Sequence, residues 1–335
     1  MKVFELTGDY DTDHVKLVER PDPKPGPGQV LLQMKAWSVN YRDILVVNGR
    51  YGTKPDLPFV PLSDGVGTVI AVGDGVTRVI LGDRVAPIFM QKWIEGEPTQ
   101  EKANSALGAN LPGVAAEYVV LDAEGVVHVP SHLSDAEAAC LPCAGVTAWH
   151  ATSTSANLKP SDTVLTQGTG GVSLFALQFA RTRGTRVIIT SSSDAKLARA
   201  RELGAWEFIN YVTTPEWGIA ARGLTDGVGV DHVVELGGAG TLAQSLRAVR
   251  MGGHISMIGV LTGPGQADPR PILMKSVRVN GIFVGSRAMF EDMNEAVSVH
   301  GLRPVVDRVF PFGELPAALE YMQSGKHFGK IALSA

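Results

Sequence analysis

DTVLTQ (162–167), GTGGVS (168–173), LFALQFARTRG (174–184), TRVIIT (185–190) and SSSDAK (191–196) form the stretch on which the fold turns. The β-branched run Thr163–Thr166 suits a buried parallel strand. Gly168, Gly170 and Gly171 follow at once. From Val172 to Arg183 the apolar period becomes helical, with Val172, Phe175, Ala176, Phe179 and Ala180 on one face. Gly184 ends that helix as a C′ glycine does, and Val187–Thr190 supplies a second apolar strand. The whole is one βαβ unit.

A strand, a glycine turn and a helix start at this spacing suit a dinucleotide pyrophosphate. The turn lets backbone approach phosphate, and the helix N-terminus offers free N–H groups with a partial positive charge. Gly168, Gly170, Gly171 and Val172 are therefore assigned to a cofactor. In a G-x-G-x-x-G reading the third glycine is replaced by Ser173, small enough to keep helix and sheet close. The second strand ends in Ser191, Ser192 and Ser193, with Lys196 one turn on, rather than in the acid that holds an NAD ribose. Three hydroxyls and an ammonium suit a 2′-phosphate, so NADP(H) is the expected cofactor. The serines equally suit an ordinary loop and cap. Asp194 fits the N-cap of a helix over Ala195–Leu203.

Outward from this unit, the alternation continues toward the C-terminus. Strands are expected at Glu207–Tyr211, Asp231–Leu236, His254–Val260 and Val277–Val284, and helices at Pro215–Arg222 and Thr241–Arg250. This pattern implies a doubly wound parallel sheet, α/β in class. Gly237 and Gly259 fall after strands, where ligand loops gather. Residues 1 to about 120 differ: they are β-rich and broken by Pro21, Pro23, Pro25, Pro27 and the turn Gly73-Asp74-Gly75. Gln91–Gly113 is polar and irregular and reads as a lobe or lid. Ser134–Trp149 reads as one helix opened by Ser134 and Glu137. Glu291–Ala335 holds two helical patches and a last strand at Lys330–Leu333.

At 335 residues two domains are expected. The chain is 44% hydrophobic and 19% charged, with net charge −4 and no basic run, which argues against nucleic acid or an anionic membrane as partner. No apolar segment approaches the ~20 residues of a membrane span. Two cysteines and no signal-peptide pattern point to the cytoplasm.

Together these features resemble the medium-chain dehydrogenase/reductase superfamily. Gly65-x-Gly67-x-Val69, Val72-Gly73 and Gly82-Asp83-x-Val85 look like its GroES-like domain. Asn40-Tyr41-Arg42-Asp43, Asn48-Gly49-x-Tyr51, Ala144-Gly145-Val146-Thr147-x-Trp149 and Ile209-Asn210-Tyr211 resemble its zinc-free quinone oxidoreductase branch, which includes zeta-crystallin. The resemblance implies a GroES-like catalytic domain over 1–122, a Rossmann NADP(H) domain over 123–275, and a sheet-edge strand with a return to the catalytic domain over 276–335. It implies cofactor contacts at Tyr211, beside the 2′-phosphate, and at Thr147, Val260, Phe283, Val284, Phe328 and Lys330. Zinc-dependent members use Cys, His and Cys where this chain has Asn40, Ser63 and Cys143, so no metal is expected.

Without zinc, the charge that develops on a substrate oxygen needs a hydrogen-bond donor. Tyr51 is the first candidate, with Asn40, Tyr41 and Ser63 beside it and Arg42 as a further donor; Tyr51 also suits a half-buried packing ring. Asp43 orients its loop or the ribose. The expected activity is NADPH-dependent, zinc-independent reduction of quinones or α,β-unsaturated carbonyls. An NADP-dependent alcohol dehydrogenase or ketone reductase, and a weakly catalytic NADPH-binding protein of crystallin type, remain open. A homodimer paired along the strand Val277–Val284 is expected.

Overall fold

The computed structural model describes residues 1–52, 54–259 and 261–335, so the expected cofactor residue Val260 lies outside the described residues. The chain forms two units. One comprises Met1–Val146 and Gly285–Ala335, and the other Thr147–Val284.

The first unit carries β1 (Lys2–Leu6), β2 (Val15–Glu19), β3 (Gln29–Val39), β4 (Asp64–Val72), β5 (Arg84–Pro87), β6 (Tyr118–Asp122) and β7 (Val126–His128). The second carries β8 (Thr163–Gln167), β9 (Arg186–Ser191), β10 (Glu207–Asn210), β11 (Val230–Glu235), β12 (Val249–Met257) and β13 (Arg278–Gly281). The return to the first unit adds β14 (Val306–Pro311) and β15 (Lys330–Ser334).

In the second unit the strand order is β10-β9-β8-β11-β12-β13, and every pairing is parallel. This is the doubly wound order, whose direction of progression reverses between β8 and β11. All five residues of β8 are buried, as a central parallel strand requires. The helix Gly171–Thr182 lays Leu174, Phe175 and Phe179 onto the sheet, with the Phe175 and Phe179 rings stacked 5.8 Å apart. The helix after β9 begins at Asp194, and its N-cap is Ser193 rather than Asp194: the Ser193 hydroxyl accepts the Lys196 N–H. Asp194 instead accepts a hydrogen bond from Asn210 Nδ2 at 2.7 Å.

In the first unit seven strands form a sheet of order β14-β15-β3-β4-β5-β7, with β6 added to β3. β15 pairs antiparallel with β3, which brings residues from 285 onward into the same core as the N-terminal strands. Trp37 stacks on Phe312 with centroids 4.1 Å apart and donates its indole N–H to Val114 O.

The units divide at Val146/Thr147 and Val284/Gly285, against expected divisions after 122 and 275. β7 pairs with β5, which keeps 126–128 in the first sheet, and β13 is the sixth strand of the second. Ser134–Trp149 is not one helix. Asp135–Ala138 is followed by π-helical turns at Leu141–Gly145 and His150–Ser155 around the short helix Val146–Trp149. Pro142 has no N–H to extend the first turn. Gln91–Gly113 buries Trp93 in the core, so this irregular segment is anchored by a packed ring. The return segment also contains β14, absent from the sequence reading. No helix among the described residues is long and apolar enough to cross a membrane.

Candidate functional site

In the second unit, the candidate nucleotide-binding elements begin where β8 ends. Gly168 has φ +73°, a conformation that side chains rarely adopt, and a Cβ there would meet nothing within 4 Å. Its N–H donates to Thr190 Oγ1 at 3.4 Å. Gly170 is the N-cap of a twelve-residue helix and has no side chain to cap it; a Cβ there also meets open space. The first N–H groups, from Gly171 and Val172 on, are the donors a pyrophosphate takes up. Ser173 is buried, and its hydroxyl donates to Gln167 O at 2.6 Å. The third position of the glycine pattern therefore ties the helix back to the strand.

At the end of β9, Ser191 is buried and Ser192 exposed. The Tyr211 N–H donates to Ser191 O at 3.1 Å, which fixes Tyr211, itself 42% exposed, beside the serine turn. Lys196 is half-buried one turn into the following helix. Thr147 is buried at the start of the second unit, and Phe283 is 44% exposed. Val284 is buried with φ +54°, an uncommon strain for a β-branched residue. Its carbonyl accepts from His150 Nδ1 at 2.8 Å, as the imidazole N–H would donate. Gly259 packs so closely that a Cβ would lie 1.6 Å from Leu236 O, so glycine is demanded there by the chain itself.

A separate polar cluster lies in the first unit. Asn40 precedes the helix Tyr41–Val47, and its N–H donates to Asp43 Oδ2 at 2.8 Å. Asn40 is buried. Its Oδ1 accepts from Lys330 Nζ, which also donates to Val39 O at 2.9 Å. The Lys330 ammonium, expected on the cofactor, is thus held within this unit. Phe328, expected on the cofactor too, is core at 2% exposure. Arg42 is buried with its guanidinium over two rings, 4.9 Å from the Tyr51 centroid and 4.6 Å from that of Phe89, and its Nη1 donates to Leu107 O at 2.9 Å. Ser63 is buried and donates to Asp64 Oδ1 at 2.8 Å, while Asp64 Oδ2 accepts the Cys143 N–H at 3.2 Å. Tyr41 stands apart, 39% exposed, and its hydroxyl has no hydrogen-bond partner among the described residues.

Burial sets the electrostatics of this cluster. It pushes Asp43 up to about 6 against the pull of Arg42. It raises the Tyr51 phenol above its ordinary value, again opposed by Arg42. Burial and then the Asp64 carboxylate hold the Cys143 thiol far above the usual thiol range. Among the described residues Asn40 Nδ2, Arg42 Nε and Nη2, and Asp43 Oδ1 make no hydrogen bond, although Asp43 Oδ1 is ion-paired with Arg42 Nη1 at 3.5 Å. Three of those four are donors, so the cluster lacks acceptors. An arrangement of this kind suits a substrate oxygen.

Known proteins fall on the same outline. Residues 26–131 match the family described as alcohol dehydrogenase GroES-like domain, and 171–299 match that described as zinc-binding dehydrogenase. A zinc-type alcohol dehydrogenase-like protein of Schizosaccharomyces pombe is 44% identical over 96% of this chain and 95% of its own. The chain belongs to the medium-chain dehydrogenase/reductase superfamily. A putative alcohol dehydrogenase of Sinorhizobium meliloti has the same fold, with TM-score 0.94 and 43% identity over 100% of this chain and 98% of its own. A mycobacterial protein solved with NADPH matches at TM-score 0.85 and 27% identity, covering both chains completely. Quinone oxidoreductases and an NAD-dependent alcohol dehydrogenase are among the other solved neighbours.

Zinc, implied by two of these names, does not fit this medium-chain dehydrogenase/reductase. At the three ligand positions Asn40 Oδ1 is occupied by the Lys330 ammonium, Ser63 donates to Asp64, and Cys143 alone is a thiol, with no imidazole or second thiol at the other two. A zinc site needs deprotonated thiolate or imidazole donors. A nicotinamide dinucleotide does fit, on the open face of Gly168 and Gly170 and the uncapped helix behind them. Sequence reasoning missed Gln167 and Glu235, both buried at strand ends; the only signal was a polar residue closing each apolar run.

Proposed function

We propose that this oxidoreductase is NADPH-dependent and zinc-independent, and reduces quinones or α,β-unsaturated carbonyls. The observation that supports this most is the donor set at Asn40, Ser63 and Cys143, where the buried Lys330 ammonium bonds Asn40. Positive charge there belongs to the protein rather than to a metal.

NADPH, when bound, supplies hydride from its nicotinamide. The chain's own groups handle the oxygen. Tyr51 holds its phenolic proton toward the carbonyl, and the Arg42 guanidinium over its ring stabilises negative charge that spreads onto that oxygen. Asn40 Nδ2 is a second donor, with Lys330 polarising its amide. Ser191, Ser192, Lys196 and Tyr211 hold the 2′-phosphate, with Asp194 drawn aside by Asn210.

An alcohol dehydrogenase is the second reading, favoured by the 44% identical relative's name. Steady-state turnover on matched quinones, enones, ketones and secondary alcohols, with NADPH and NADH, tests the proposal. Faster NADPH-driven reduction of quinones and enones supports it. Preference for alcohol oxidation, or for NADH, overturns it. The same reading makes the enzyme a cytoplasmic homodimer paired along β13, a state that light scattering in solution checks.

A further inference from the structure

Glu235 ends β11 with no exposure at all, and its carboxylate meets five donors. Oε1 accepts from Gly237 N at 2.9 Å, Gly238 N at 3.0 Å and the Thr241 hydroxyl. Oε2 accepts from Gln167 Nε2 at 2.5 Å and from the Ser245 hydroxyl. Gln167 ends β8, immediately before the glycine turn. Its Oε1 accepts from Leu236 N and Gly237 N, both at 3.0 Å, and its Nε2 also donates to Ser245 Oγ at 2.8 Å. Thr262, beyond β12, completes the arrangement: its hydroxyl donates to Gly237 O at 2.8 Å and accepts from Gly240 N at 2.9 Å.

β8 and β11 are the two strands between which the sheet order reverses. That is where a doubly wound sheet opens its ligand crevice. We propose that Glu235 and Gln167 are the positioning pair of the cofactor site, locking the 168–171 and 236–241 loops together so that the pyrophosphate meets preformed backbone donors. The inference rests on the NADPH reading. Its physical basis is satisfaction: a buried carboxylate can only accept, and here every neighbour donates. Replacing one oxygen by NH2 sets donor against donor, and the loops must part to relieve it.

The experiment measures NADPH binding by its fluorescence, and binding of adenosine 2′-monophosphate by competition. That nucleotide carries the 2′-phosphate but no pyrophosphate. E235Q weakens NADPH at least tenfold and leaves adenosine 2′-monophosphate within about twofold, because only the pyrophosphate reads the locked loops. The reciprocal exchange E235Q/Q167E restores one acceptor-only and one mixed partner, and NADPH affinity returns to within about threefold of the parent. S245A, which removes one donor to Glu235 and one acceptor from Gln167, keeps the fold and gives a loss of about threefold should E235Q not fold. Parental NADPH affinity in folded E235Q or S245A overturns the inference. So does equal weakening of both ligands, or failure of the folded exchange to recover. A parent that binds NADH but not NADPH overturns the cofactor reading alone; the positioning test then runs unchanged with NADH and adenosine.

Discussion

The two units each bury a polar cluster, and the clusters are built on opposite principles. Around Glu235 every oxygen and nitrogen of the carboxylate and of Gln167 is paired. Around Asn40, Arg42 and Asp43, four buried polar atoms make no hydrogen bond among the described residues, Asp43 Oδ1 being held only by the Arg42 charge at 3.5 Å. A saturated network is rigid and costs little to bury; an unsaturated one carries a desolvation penalty for each unmet group. On the proposed reading the contrast matches two roles. The saturated cluster would be scaffold for a cofactor that binds the same way in every turnover. The unsaturated one would be held ready for an oxygen whose charge changes during the reaction.

The largest break in this comparison comes from the unsaturated side. Tyr51→Phe keeps the ring against Arg42 and removes only the hydroxyl. Turnover on a quinone falls by about 10²–10³-fold, while the NADPH dissociation constant barely moves. A loss under about threefold would return Tyr51 to packing duty beside Val46 and Phe59.

Next in size is the cofactor's edge. Charge-assisted bonds to a phosphate contribute roughly 1.5–3 kcal/mol each. Two of them give NADPH an advantage over NADH of about 10²–10⁴-fold, reduced toward the lower end by solvent at Ser192 and Tyr211. Lys196→Ala accordingly weakens NADPH by about tenfold or more and leaves NADH nearly unchanged. Ser191→Asp goes further by repelling the phosphate. Equal dissociation constants for both cofactors in the parent protein would refute the preference.

Legibility follows the same divide. The βαβ unit was readable because period and glycine spacing are local properties: strand and helix limits around Gly168 lie within a residue or two of those expected. Long-range pairing was not readable. Nothing near Ala123 announces that β7 joins β5, and nothing in Val306–Pro311 announces its pairing with β15. The site shows both cases. Asn40, Ser63, Cys143 and Tyr51 were singled out as candidates by short motifs, yet the union of Lys330 with Asn40, 290 residues apart in sequence, needed the folded chain. Glu235 and Gln167 escaped because a polar residue at a strand end has many ordinary explanations.

Acidity sharpens the comparison at intermediate size. His232 on β11 is buried with both ring nitrogens unpartnered, and burial, then His254 at a centroid distance of 4.8 Å and Arg278, lower its pKa from 6.5 to about 3. His254 is lowered as well, by burial and Arg278. A base whose pKa falls on folding contributes stability that is complete above 6.5 and is lost as pH falls toward 3. Asp43, raised from 3.8 to about 6, works in reverse: its contribution is complete below 3.8 and lost as pH rises through 6. The second unit therefore weakens on acidification by a few kcal/mol, and melting drops by several degrees from about pH 7 to 5. His232→Phe flattens most of that slope, as calorimetry across the range would read. An unchanged slope removes the histidine pair as its cause.

The smallest expected effect is none, and it bears on the unsaturated cluster most directly. If the charge there comes from Lys330 and Arg42, a chelator leaves activity where it was, and elemental analysis of the purified protein finds far less than one zinc per chain. The Lys330 ammonium bonds the side chain that stands at one ligand position, and it would repel a dication there. Lys330→Met removes that repulsion and leaves Asn40 Oδ1 free, yet an amide, a hydroxyl and a single thiol still supply no zinc ligand set, so the variant gains no zinc either. Activity nonetheless falls, because the Asn40 amide loses the cation that polarises it. Stoichiometric zinc in the parent protein, with activity lost to chelator and restored by zinc, would make the cluster a metal site and end its contrast with Glu235.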